Sequence, residues 1–509
     1  MEWVVEEQLM APDNHAIPGM TINRQFPGPT LTLDMGDSVE IKVHNKISHP
    51  LTIHWHGILQ KNTPEADGIT FVTQDPIPVN EDYTYKFSVN NQSGTYWYHA
   101  HTMLDSEVVF GALIINEPKA ILDIAIQLDS SFQYDDERTL LLSNIFHKPM
   151  DQVYQGLVTA PFTQSPDPMS IITNGGTYEE WDDPADPHIP FNNGYSVINV
   201  NPNTRYRLRI IASQGHSYYA LHIPNHRFTV IEANGTLVKP FQLNYVYINS
   251  GQRYSVILQT NNSTQNYFIH TSIVGEVNDL NNGVAILHYK GAPTPQRKKL
   301  HIPIKKHLQM TSWFEDQLST LITQEYTVPY TYTQSIFLKL QFKQQNGLLR
   351  FKPNDVSNND RNTTILPSVM NLTSKLGPGV YQIQSNNEGV QIVLQSVALE
   401  NRNCTTHPWH VHGHSFYVVA RGDGMYDPIL HDPQIEAQLS KNPIIRDTAT
   451  FFSNETPSNQ DNTDPPPQPP STSQPKLRSC GWTAIRFKAN NPGAWFMHCH
   501  YSAHMIMGM

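Results

Sequence analysis

Residues Asp82 to His99 read DYTYKFSVNNQSGTYWYH, and this pattern occurs three times in the chain. The other copies are RYSVILQTNNSTQNYFIH, from Arg253 to His270, and GWTAIRFKANNPGAWFMH, from Gly481 to His498. Each copy has 18 residues, with an alternating apolar and polar run, an Asn at the tenth place and an aromatic pair that ends two residues before the closing His. Alternation with a period of two is typical of a strand, and a repeat of fixed length indicates related structural units. The sequence therefore predicts three related β-sandwich domains.

The remaining sequence also favours strands over helices. Segments such as Val39–Val43 and Tyr206–Ile210 alternate in the same way, turns such as Phe26–Pro29 separate them, and long helical patterns are few. A second segment is repeated with less similarity: HIPNH at 222–226 aligns with HVHGH at 410–414. We therefore expect an all-β protein. The expected domains are residues 1–120, 135–292 and 300–509.

Three polar or Pro-rich segments interrupt this strand pattern. Residues 118–137 and 291–299 lie between the repeats and are the expected linkers. Residues 453–479 contain DPPPQPPSTSQP, which cannot form the interior of a sheet because proline lacks the backbone donor. Since the third repeat resumes at Gly481, we expect 453–479 to be an exposed, mobile loop inserted within the third domain.

Composition excludes several classes of function. The chain has 509 residues, which suggests about three domains. Its net charge of −11 would repel a phosphate backbone, so a nucleic-acid partner is not expected. No apolar stretch approaches the roughly 18–20 residues of a membrane span, and residues 1–7 carry acids where a signal peptide would carry lysines.

Histidines are abundant and concentrated in pairs. The chain has 24, and random placement would give about one His-x-His pair, yet there are five. On a strand, residues i and i+2 face the same side, so each pair offers two imidazoles to one point, and neutral imidazole suits copper, zinc, iron or nickel. In the middle repeat Ser272 and Pro224 break the pairs, so we expect that domain to be a spacer or a substrate-facing wall. The five pairs are His54/His56, His99/His101, His410/His412, His412/His414 and His498/His500.

The last twelve residues carry the most specific pattern. Cys499 is followed by His504 and Met509, so that one short segment holds a thiolate, an imidazole and a thioether. With one more imidazole, for which His407 is the candidate, these make the trigonal His₂Cys site with a weak axial Met that selects copper for electron transfer. A structural zinc site would instead need four firm ligands. Cys499 also lies between His498 and His500, which gives an electron at its metal a covalent route to a second cluster.

Four motifs resemble the copper signatures of blue multicopper oxidases: HWHG at 54–57, YHAH at 98–101, HPWHVHGH at 407–414 and HCHYSAHMIMGM at 498–509. The resemblance covers essentially the whole chain. Segments such as INRQFPGP, IHWHGILQ, YRLRI and GWTAIRF are similar to those of plant ascorbate oxidases and fungal laccases. It implies three cupredoxin-like β-sandwich domains and four copper ions, namely a type 1 ion, a type 2 ion and a binuclear type 3 pair.

Carried over by position, the resemblance implies twelve ligands. The type 1 copper takes His407, Cys499, His504 and, axially, Met509. The type 2 copper takes His54 and His410. One type 3 copper takes His56, His99 and His498, and its partner takes His101, His412 and His500. His414 remains, and we expect it to be packed and hydrogen-bonded rather than a ligand.

Asp67, in the segment Ala66-Asp67-Gly68, matches the family's carboxylate beside the trinuclear cluster. Dioxygen reduction consumes protons, so a positioned carboxylate is chemically required, and we expect Asp67 to be catalytic together with Cys499 and His504. The alternative is that Asp67 is only an Asp-Gly turn residue.

The resemblance implies an oxidase that takes single electrons from a small reductant at His504 and reduces dioxygen to water. The family's ascorbate oxidases stack their substrate on two tryptophans, and this chain has Gln164 and Phe351 at those positions. Fungal laccases have a carboxylate at the position where this chain has His216. We therefore expect a phenolic or aromatic donor, with L-ascorbate as the alternative. A ferrous or cuprous oxidase is less favoured because Met-rich segments are absent from the sequence, and a catalytically dead relative would have lost ligands.

Other features bear on location and completeness. Cys404 and Cys480 leave two alternatives open, a disulfide or ordinary buried thiols. Because Met1 begins within the family's first strand and Met509 is itself the axial ligand, we expect the sequence to be a fragment that holds blue copper poorly. Six sequons suit a secreted, extracellular glycoprotein. They are at Asn91, Asn234, Asn262, Asn362, Asn371 and Asn454.

Overall fold

The structure is a computed structural model. It describes residues 1–274, 282–295, 314–321, 329, 331–355, 365–366, 379–383, 389–399, 404–439, 442–451 and 477–509. Strands dominate these residues and assemble into three consecutive pairs of sheets, which confirms the predicted all-β class with three sandwich domains. We retain 1–120, 135–292 and 300–509 as the proposed domain bounds.

The first domain consists of two four-stranded sheets, ordered β2-β1-β4-β6 and β3-β8-β7-β5. Their apolar faces enclose a core that includes Trp3, Trp55 and Tyr85, all buried. The alternating segment around Val39–Val43 supplies β4, as its period of two requires. The strands are β1 Glu2–Met10, β2 Ile17–Ile22, β3 Leu31–Asp34, β4 Ser38–Lys46, β5 Ile53–His56, β6 Asp82–Ser88, β7 Gly94–Ala100 and β8 Phe110–Asn116.

The second domain pairs a six-stranded sheet, β10-β9-β12-β17-β14-β15, with a five-stranded sheet, β11-β19-β18-β13-β16. Apolar side chains such as Tyr206, Leu208 and Val256 fill the space between them. The strands are β9 Asp136–Ile145, β10 Ser170–Thr173, β11 Val197–Val200, β12 Arg205–Ala212, β13 Tyr218–His222, β14 Phe228–Ala233, β15 Thr236–Leu243, β16 Val246–Asn249, β17 Arg253–Gln259, β18 Asn266–Ile273 and β19 Asn282–Tyr289.

The third domain has a five-stranded sheet, β20-β23-β28-β25-β26, a three-stranded sheet, β27-β24-β29, and a hairpin of β21 and β22. Its core encloses Trp409, Phe416 and Cys499. The strands are β20 Gln334–Lys339, β21 Phe342–Gln345, β22 Leu348–Phe351, β23 Gly389–Leu399, β24 His407–Val411, β25 Phe416–Gly422, β26 Ile445–Arg446, β27 Thr448–Phe451, β28 Leu477–Lys488 and β29 Met497–Cys499.

Helices are short and peripheral. The α-helices that the structure describes in full are α1 Lys119–Leu128, α2 Met150–Val158, α3 Pro428–Leu439 and α4 Ser502–Ile506. Short 3-10 segments occur at Pro64–Ala66, Asp105–Glu107, Ser130–Phe132, Phe314–Gln317 and Pro353–Asp355. No helix among the described residues is long and apolar enough to cross a membrane.

Each copy of the 18-residue repeat crosses its sandwich from one sheet to the other. In the first domain it joins β6 to β7, in the second β17 to β18, and in the third β28 to β29. The alternating half lies in one sheet, and the aromatic half with its closing His lies in the facing sheet. The repeat thus places His99, His270 and His498 at equivalent positions of the three domains.

Buried ion pairs fix the first domain against the second. Arg207 and Arg209, on β12, are both 1% exposed and contact Glu117, Glu137 and Glu232. Burial alone would raise the pKa of Glu232, but the charges of the two arginines lower it to about 2. The orientation of the two sandwiches is therefore set by a charge network as well as by apolar packing.

The structure refines two sequence expectations and decides between two open alternatives. The predicted linker 118–137 contains α1, and Ala125 and Phe132 pack on the second domain. The predicted inserted loop 453–479 ends earlier, because residues 477–479 belong to β28 and pair with β23; residues 452–476 lie outside the described residues. Cys404 and Cys480 form a disulfide, with Cα atoms 5.6 Å apart, instead of the buried thiols that were the alternative.

Candidate metal centre

The predicted blue-copper residues meet where β24, β29 and α4 adjoin. His407 begins β24, Cys499 ends β29, and His504 lies on α4. The Cys499 Sγ is 3.9 Å from His407 Nδ1 and 3.7 Å from His504 Nδ1, so three donor atoms converge on one buried point. Met509 is 4% exposed, and its backbone oxygen accepts a hydrogen bond from the Cys499 N–H at 3.1 Å. The chain therefore brings all four predicted type 1 residues together.

Burial shapes the titration of this group. It lowers the pKa of His407 to about 3, and together with the charges of His407 and His216 it lowers the pKa of His504. Burial also raises the pKa of the Cys499 thiol, so without a metal the site holds a neutral thiol. A bound cation reverses this, because a coordinating thiol is deprotonated.

Eight further histidines converge between the first and third domains. The antiparallel register places His54 opposite His99 on β5 and β7, and His410 opposite His498 on β24 and β29. The second member of each pair follows two residues later: His56 lies within β5, whereas His101, His412 and His500 lie just past the ends of β7, β24 and β29. The eight are His54, His56, His99, His101, His410, His412, His498 and His500, and each is at most 7% exposed.

Hydrogen bonds fix the tautomers of these rings. His54 Nδ1 donates to the Asp67 carbonyl at 2.7 Å, His99 Nδ1 to the Ala100 carbonyl at 2.8 Å, and His410 Nδ1 to the Asp447 carbonyl at 2.8 Å. When Nδ1 carries the proton, the Nε2 lone pair points inward and is available to a metal. Among the described residues, the Nε2 atoms of four of these histidines are buried without a hydrogen-bond partner. They belong to His54, His99, His101 and His410.

These buried atoms test whether the site fits copper. A buried polar atom without a partner is costly, and a buried cluster of imidazoles avoids that cost by sharing a metal ion. Burial, reinforced by the neighbouring histidines, lowers the pKa of most of these rings, so they stay neutral and able to bind. The lowered values are those of His56, His99, His101, His410, His412, His498 and His500. The residues fit the copper ions that the sequence predicted.

The grouping of the imidazoles corrects the predicted type 3 assignment. His498 Nε2 lies 3.1 Å from His412 Nε2, and both share a compact group with His101. His500 Nε2 lies instead 3.1 Å from His56 Nδ1. Two nitrogens bound to one ion at about 2.0–2.1 Å lie about that far apart. By distance, His498 groups with His101 and His412, and His500 groups with His56, which is the reverse of the grouping implied by the resemblance.

Asp67 lies inside this cluster and is fully buried. Its Oδ2 accepts a hydrogen bond from His412 Nδ1 at 3.0 Å, and its Oδ1 lies 3.4 Å from His54 Nδ1. One carboxylate thus contacts imidazoles of two predicted copper groups. His414, by contrast, packs against Phe487 and hydrogen-bonds to the His412 carbonyl, as expected for a residue that is not a ligand.

A second carboxylate, Asp447, was not predicted from the sequence. Its Oδ1 lies 3.4 Å from His56 Nε2, and its backbone carbonyl orients His410. Arg253, from the second domain, forms a two-armed ion pair with this carboxylate at 2.6 Å in each arm. The neighbouring Thr448 hydroxyl contacts His56 Nε2 at 3.0 Å. Sequence reasoning had no signal for this group, because Arg253 and Asp447 are 194 residues apart.

The second domain also reaches the cluster through the turn between β16 and β17. Ser250 Oγ accepts a hydrogen bond from His500 Nδ1 at 2.8 Å. Gly251 has φ +78°, and a Cβ at this position would lie 2.8 Å from the His500 ring, so only glycine fits. Asn234, one of the six sequons, is buried here and donates to Asp447, so it is not a glycosylation site.

A small open pocket lies beside the cluster. Its lining includes His101, His498 and His500, and also Ser106 and Ser502. Ser502 Oγ donates at 2.7 Å to Glu107, which is 4% exposed. Burial raises the pKa of Glu107. The pocket is thus lined both by cluster imidazoles and by a hydroxyl that contacts a buried acid.

The partly exposed edge of His504 is the other accessible part of the site. The Phe351 ring lies 4.8 Å from the His504 ring and is 1% exposed, whereas Gln164 is exposed. His216 Nε2 lies 3.5 Å from an Asp167 oxygen, and the hydrogen bond with His216, aided by its charge, lowers the pKa of that carboxyl although burial opposes the shift. This edge therefore has one buried aromatic wall and an adjacent imidazole–carboxylate pair.

Known proteins resemble this chain over its full length. Three multicopper oxidase family models match residues 4–120, 136–292 and 349–509. An L-ascorbate oxidase of Cucurbita pepo var. melopepo is 31% identical and covers 100% of this chain and 93% of its own length. Laccase-4 of Thanatephorus cucumeris is 30% identical, with coverage of 98% and 86%.

A solved structure gives the same result for the fold. Fet3p, described as a multicopper oxidase that functions in iron import, superimposes with a TM-score of 0.76 at 25% identity, and the match covers 100% of this chain and 88% of Fet3p. The matched family models and the converging cysteine, methionine and imidazoles agree with one another. The chain belongs to the multicopper oxidase family.

Proposed function

We propose that this protein oxidises a small phenolic or aromatic donor by single electrons and reduces dioxygen to water. The observation that carries the proposal is the sequence His498-Cys499-His500. The Cys499 thiol groups with His407 and His504, whose partly exposed edge we call the donor edge because it is where an electron donor can approach. Both flanking imidazoles contact histidines of the cluster. Copper, when bound, supplies the one-electron exchange at Cys499 and the reduction of dioxygen at the cluster. An electron accepted at the donor edge therefore has a short covalent path to the second site.

The twelve ligands of this proposal keep the predicted residues in a corrected grouping. The type 1 site uses His407, Cys499, His504 and Met509. The type 2 site uses His54 and His410. The type 3 sites use His56, His99 and His500 for one ion, and His101, His412 and His498 for the other.

Protons and dioxygen would use the groups that border the cluster. Asp67 contacts His412 and His54 at 3.0 and 3.4 Å and is the proposed proton donor at the cluster. The small pocket beside His101 and His498 is the proposed route for dioxygen.

The donor edge favours a neutral phenol. Oxidation of a phenol releases a proton, and His216, held by Asp167 at 3.5 Å, is a base placed near His504 to accept it. Ascorbate is an anion, and both Asp167 and the net charge of −11 disfavour its approach. Phe351 is 1% exposed and has no open face for a donor to stack on, and Gln164 is exposed but not aromatic, so neither residue replaces a stacking tryptophan.

L-ascorbate is the second candidate donor. It is supported by the 31% identity to the L-ascorbate oxidase, although the laccase is 30% identical and the two values do not discriminate. The iron-import oxidase among the structural relatives makes ferrous iron a third donor to include in any test.

Oxygen uptake by the copper-loaded protein tests the proposal. We expect a higher kcat/KM with a methoxyphenol than with ascorbate or ferrous iron. Cys499→Ser should lose the blue absorption and donor oxidation while other sites retain copper. A strong preference for ascorbate would contradict the donor class, and a blue Cys499→Ser protein would contradict the type 1 site.

A second variant tests the role of His216. His216→Asn should lower kcat/KM for the phenol by about 100-fold, while ferrocyanide, which releases no proton on oxidation, should be oxidised at the native rate. Equal losses for both donors would show that His216 only shapes the edge.

Secretion is also proposed. A disulfide between Cys404 and Cys480 forms and persists in oxidising compartments, and Asn91 is an exposed sequon. Expression in a eukaryotic host should yield a protein whose mobility shifts on glycosidase treatment, and Asn91→Gln should reduce the shift. An unchanged mobility would contradict a glycan at Asn91.

A further inference from the structure

A buried acid, Glu107, lies where residues of all three domains meet. It belongs to the 3-10 segment Asp105–Glu107 of the first domain and is 4% exposed. Its Oε1 accepts a hydrogen bond from Ser502 Oγ of the third domain at 2.7 Å, and its Oε2 accepts one from the Gly215 N–H of the second domain at 3.3 Å. A Cβ at Gly215 would collide with both Glu107 and Ser502, so glycine is required for this close approach.

Ser502 connects this acid to the pocket beside the cluster. Ser502 and Ser106 both line the pocket, and their hydroxyl oxygens are 3.2 Å apart. The imidazoles in the same lining all belong to type 3 ligands in the proposed grouping. They are those of His99, His101, His498 and His500. The pocket therefore brings a hydroxyl that is bonded to a buried acid to the type 3 side of the cluster.

Asp67 approaches the cluster from a different direction. Its carboxylate contacts His412 and His54, and the described lining of the pocket contains neither of these histidines. A proton held on Asp67 is therefore not adjacent to the pocket that we propose as the route for dioxygen.

We propose that Glu107 is a proton reservoir for dioxygen reduction and acts through Ser502 on the type 3 side of the cluster. One dioxygen takes up four electrons and four protons to give two waters. In the step assigned to this pair, the Glu107 O–H passes its proton to Ser502 Oγ while the Ser502 O–H passes its own to the reduced oxygen in the pocket. The carboxylate that remains regains a proton from solvent through Ser106 and Ser502. The electrons arrive through Cys499, and the proposal rests on the proposed reduction of dioxygen at the cluster but not on the identity of the donor.

Burial suits Glu107 to this role. It raises the pKa of the carboxyl, so the group holds a proton at a pH where an exposed carboxyl has lost it. The hydrogen bonds from Ser502 and Gly215 and the charge of His216 oppose this shift.

Asp105, two residues earlier, provides a matched control. It is 2% exposed, and burial raises its pKa as well. Its Oδ2, however, bonds to His49 Nε2 at 2.9 Å, whereas Glu107 bonds to a residue of the pocket. The two acids share a segment, their burial and the direction of the pKa shift, and they differ in the partner that they contact.

The test is a stopped-flow experiment in which the copper-loaded protein, reduced with dithionite, is mixed with dioxygen. The return of the blue absorption is followed in H₂O and in D₂O, so the identity of the natural donor does not enter. Glu107→Gln and Ser502→Ala are the test variants, Asp105→Asn is the control, and Glu107→Asp is the conservative variant. The copper content and blue absorption of each variant report whether it folds.

We expect Glu107→Gln and Ser502→Ala to slow reoxidation by about 100-fold with a larger solvent isotope effect, and Asp105→Asn to change it by less than about two-fold. The double variant Glu107→Gln/Ser502→Ala should be no slower than either single variant, because both changes interrupt one path. Glu107→Asp should recover part of the rate.

Equal rates for Glu107→Gln and Asp105→Asn would overturn the proposal, as would a slow Glu107→Gln protein with an unchanged isotope effect. Should Glu107→Gln lose its copper, the comparison of Ser502→Ala with Asp105→Asn decides in the same way. A native protein that dioxygen fails to reoxidise would instead contradict the proposed function.

Discussion

Replacing Arg253 by methionine removes the cation that holds Asp447 beside the copper cluster. Both residues are buried, at 0% and 3% exposure, and their two-armed ion pair joins the second domain to the third. Asp447 in turn orients His410 through its backbone carbonyl and lies 3.4 Å from His56. The substitution therefore changes two quantities, the stability of the domain interface and the retention of cluster copper.

The expected loss of stability follows from the burial of the pair. Removing one partner of a buried ion pair leaves an uncompensated charge and costs about 3–5 kcal/mol. The Arg253 side chain also donates to the backbone oxygens of Thr95 and Gly251 at 3.0 and 3.1 Å, and each lost hydrogen bond adds about 1 kcal/mol. Asn234 and Thr448 continue to donate to Asp447, so the carboxylate keeps part of its stabilisation. We expect a decrease of about 5 kcal/mol in the free energy of unfolding, at the lower end of the sum of these contributions.

Urea unfolding followed by tryptophan fluorescence measures this change. Lys86→Met is the matched control, because Lys86 pairs with Glu40 at 3.1 Å with both side chains about two-thirds exposed, and its loss should cost less than about 1 kcal/mol. The double variant Arg253→Met/Asp447→Asn removes both charges, so it should be more stable than Arg253→Met alone. The reasoning is refuted if the double variant is the less stable of the two, or if Arg253→Met loses no more than Lys86→Met.

The copper content of the same variants separates the two effects. Groups that orient a ligand typically change metal affinity by about 10–100-fold. Arg253→Met should therefore release cluster copper at lower chelator concentrations than the native protein. The blue absorption should persist, because in the described part of the chain Asp447 makes its hydrogen bonds and ion pairs with residues other than His407, Cys499 and His504.

Three further predictions concern the cluster carboxylate, a buried acid and the disulfide. Asp67→Asn removes the carboxylate that accepts from His412 at 3.0 Å, so reoxidation of the reduced protein by dioxygen should slow by about 10²–10⁴-fold in stopped-flow absorbance, with the blue colour retained. Burial raises the pKa of Glu107, so the folded protein binds the carboxyl proton more tightly than the unfolded chain does. The stability of the fold therefore falls as the pH rises from the ordinary carboxyl pKa of about 4.3 towards the raised value. Glu107→Gln should thus gain melting temperature relative to the native protein as the pH increases through that interval, and a constant difference in calorimetry would contradict this. Because the Cys404–Cys480 disulfide closes a separation of 76 residues, Cys404→Ser/Cys480→Ser should lose about 4 kcal/mol of unfolding free energy in a urea titration.

The sequence could predict those parts of the site that depend on local geometry. Histidines at i and i+2 on a strand face one side, which is why His54 and His56 both reach the cluster from β5. The repeat also predicted three equivalent sandwiches, because it carries the strand, the turn and the closing histidine in one segment of fixed length. The prediction of a blue-copper site followed from the types of ligand atom near Cys499, namely a thiolate, imidazoles and a thioether.

The division of the type 3 imidazoles depends on geometry beyond one strand. His498 lies within β29, but the strand ends at Cys499, so the direction of the His500 side chain is not set by strand alternation. Its Nδ1 is held by Ser250 from another domain, which directs Nε2 towards His56. That partner is 250 residues away in the sequence, so spacing carries no signal for it, and the grouping taken from the resemblance differs from the one that the distances favour.

The middle domain has a larger part in the site than a spacer or wall. The turn between β16 and β17 supplies Ser250 to orient His500 and Gly251 to let that ring approach, and Arg253, the first residue of β17, holds Asp447. An imidazole that sits on one domain and is oriented by another keeps its geometry only while the two remain docked. Copper bound at the cluster therefore stabilises the docked arrangement, and undocking weakens copper binding by the same free energy. The broken His-x-His pairs of the middle domain are consistent with this division of labour, because its residues act on the cluster from outside the ligand set.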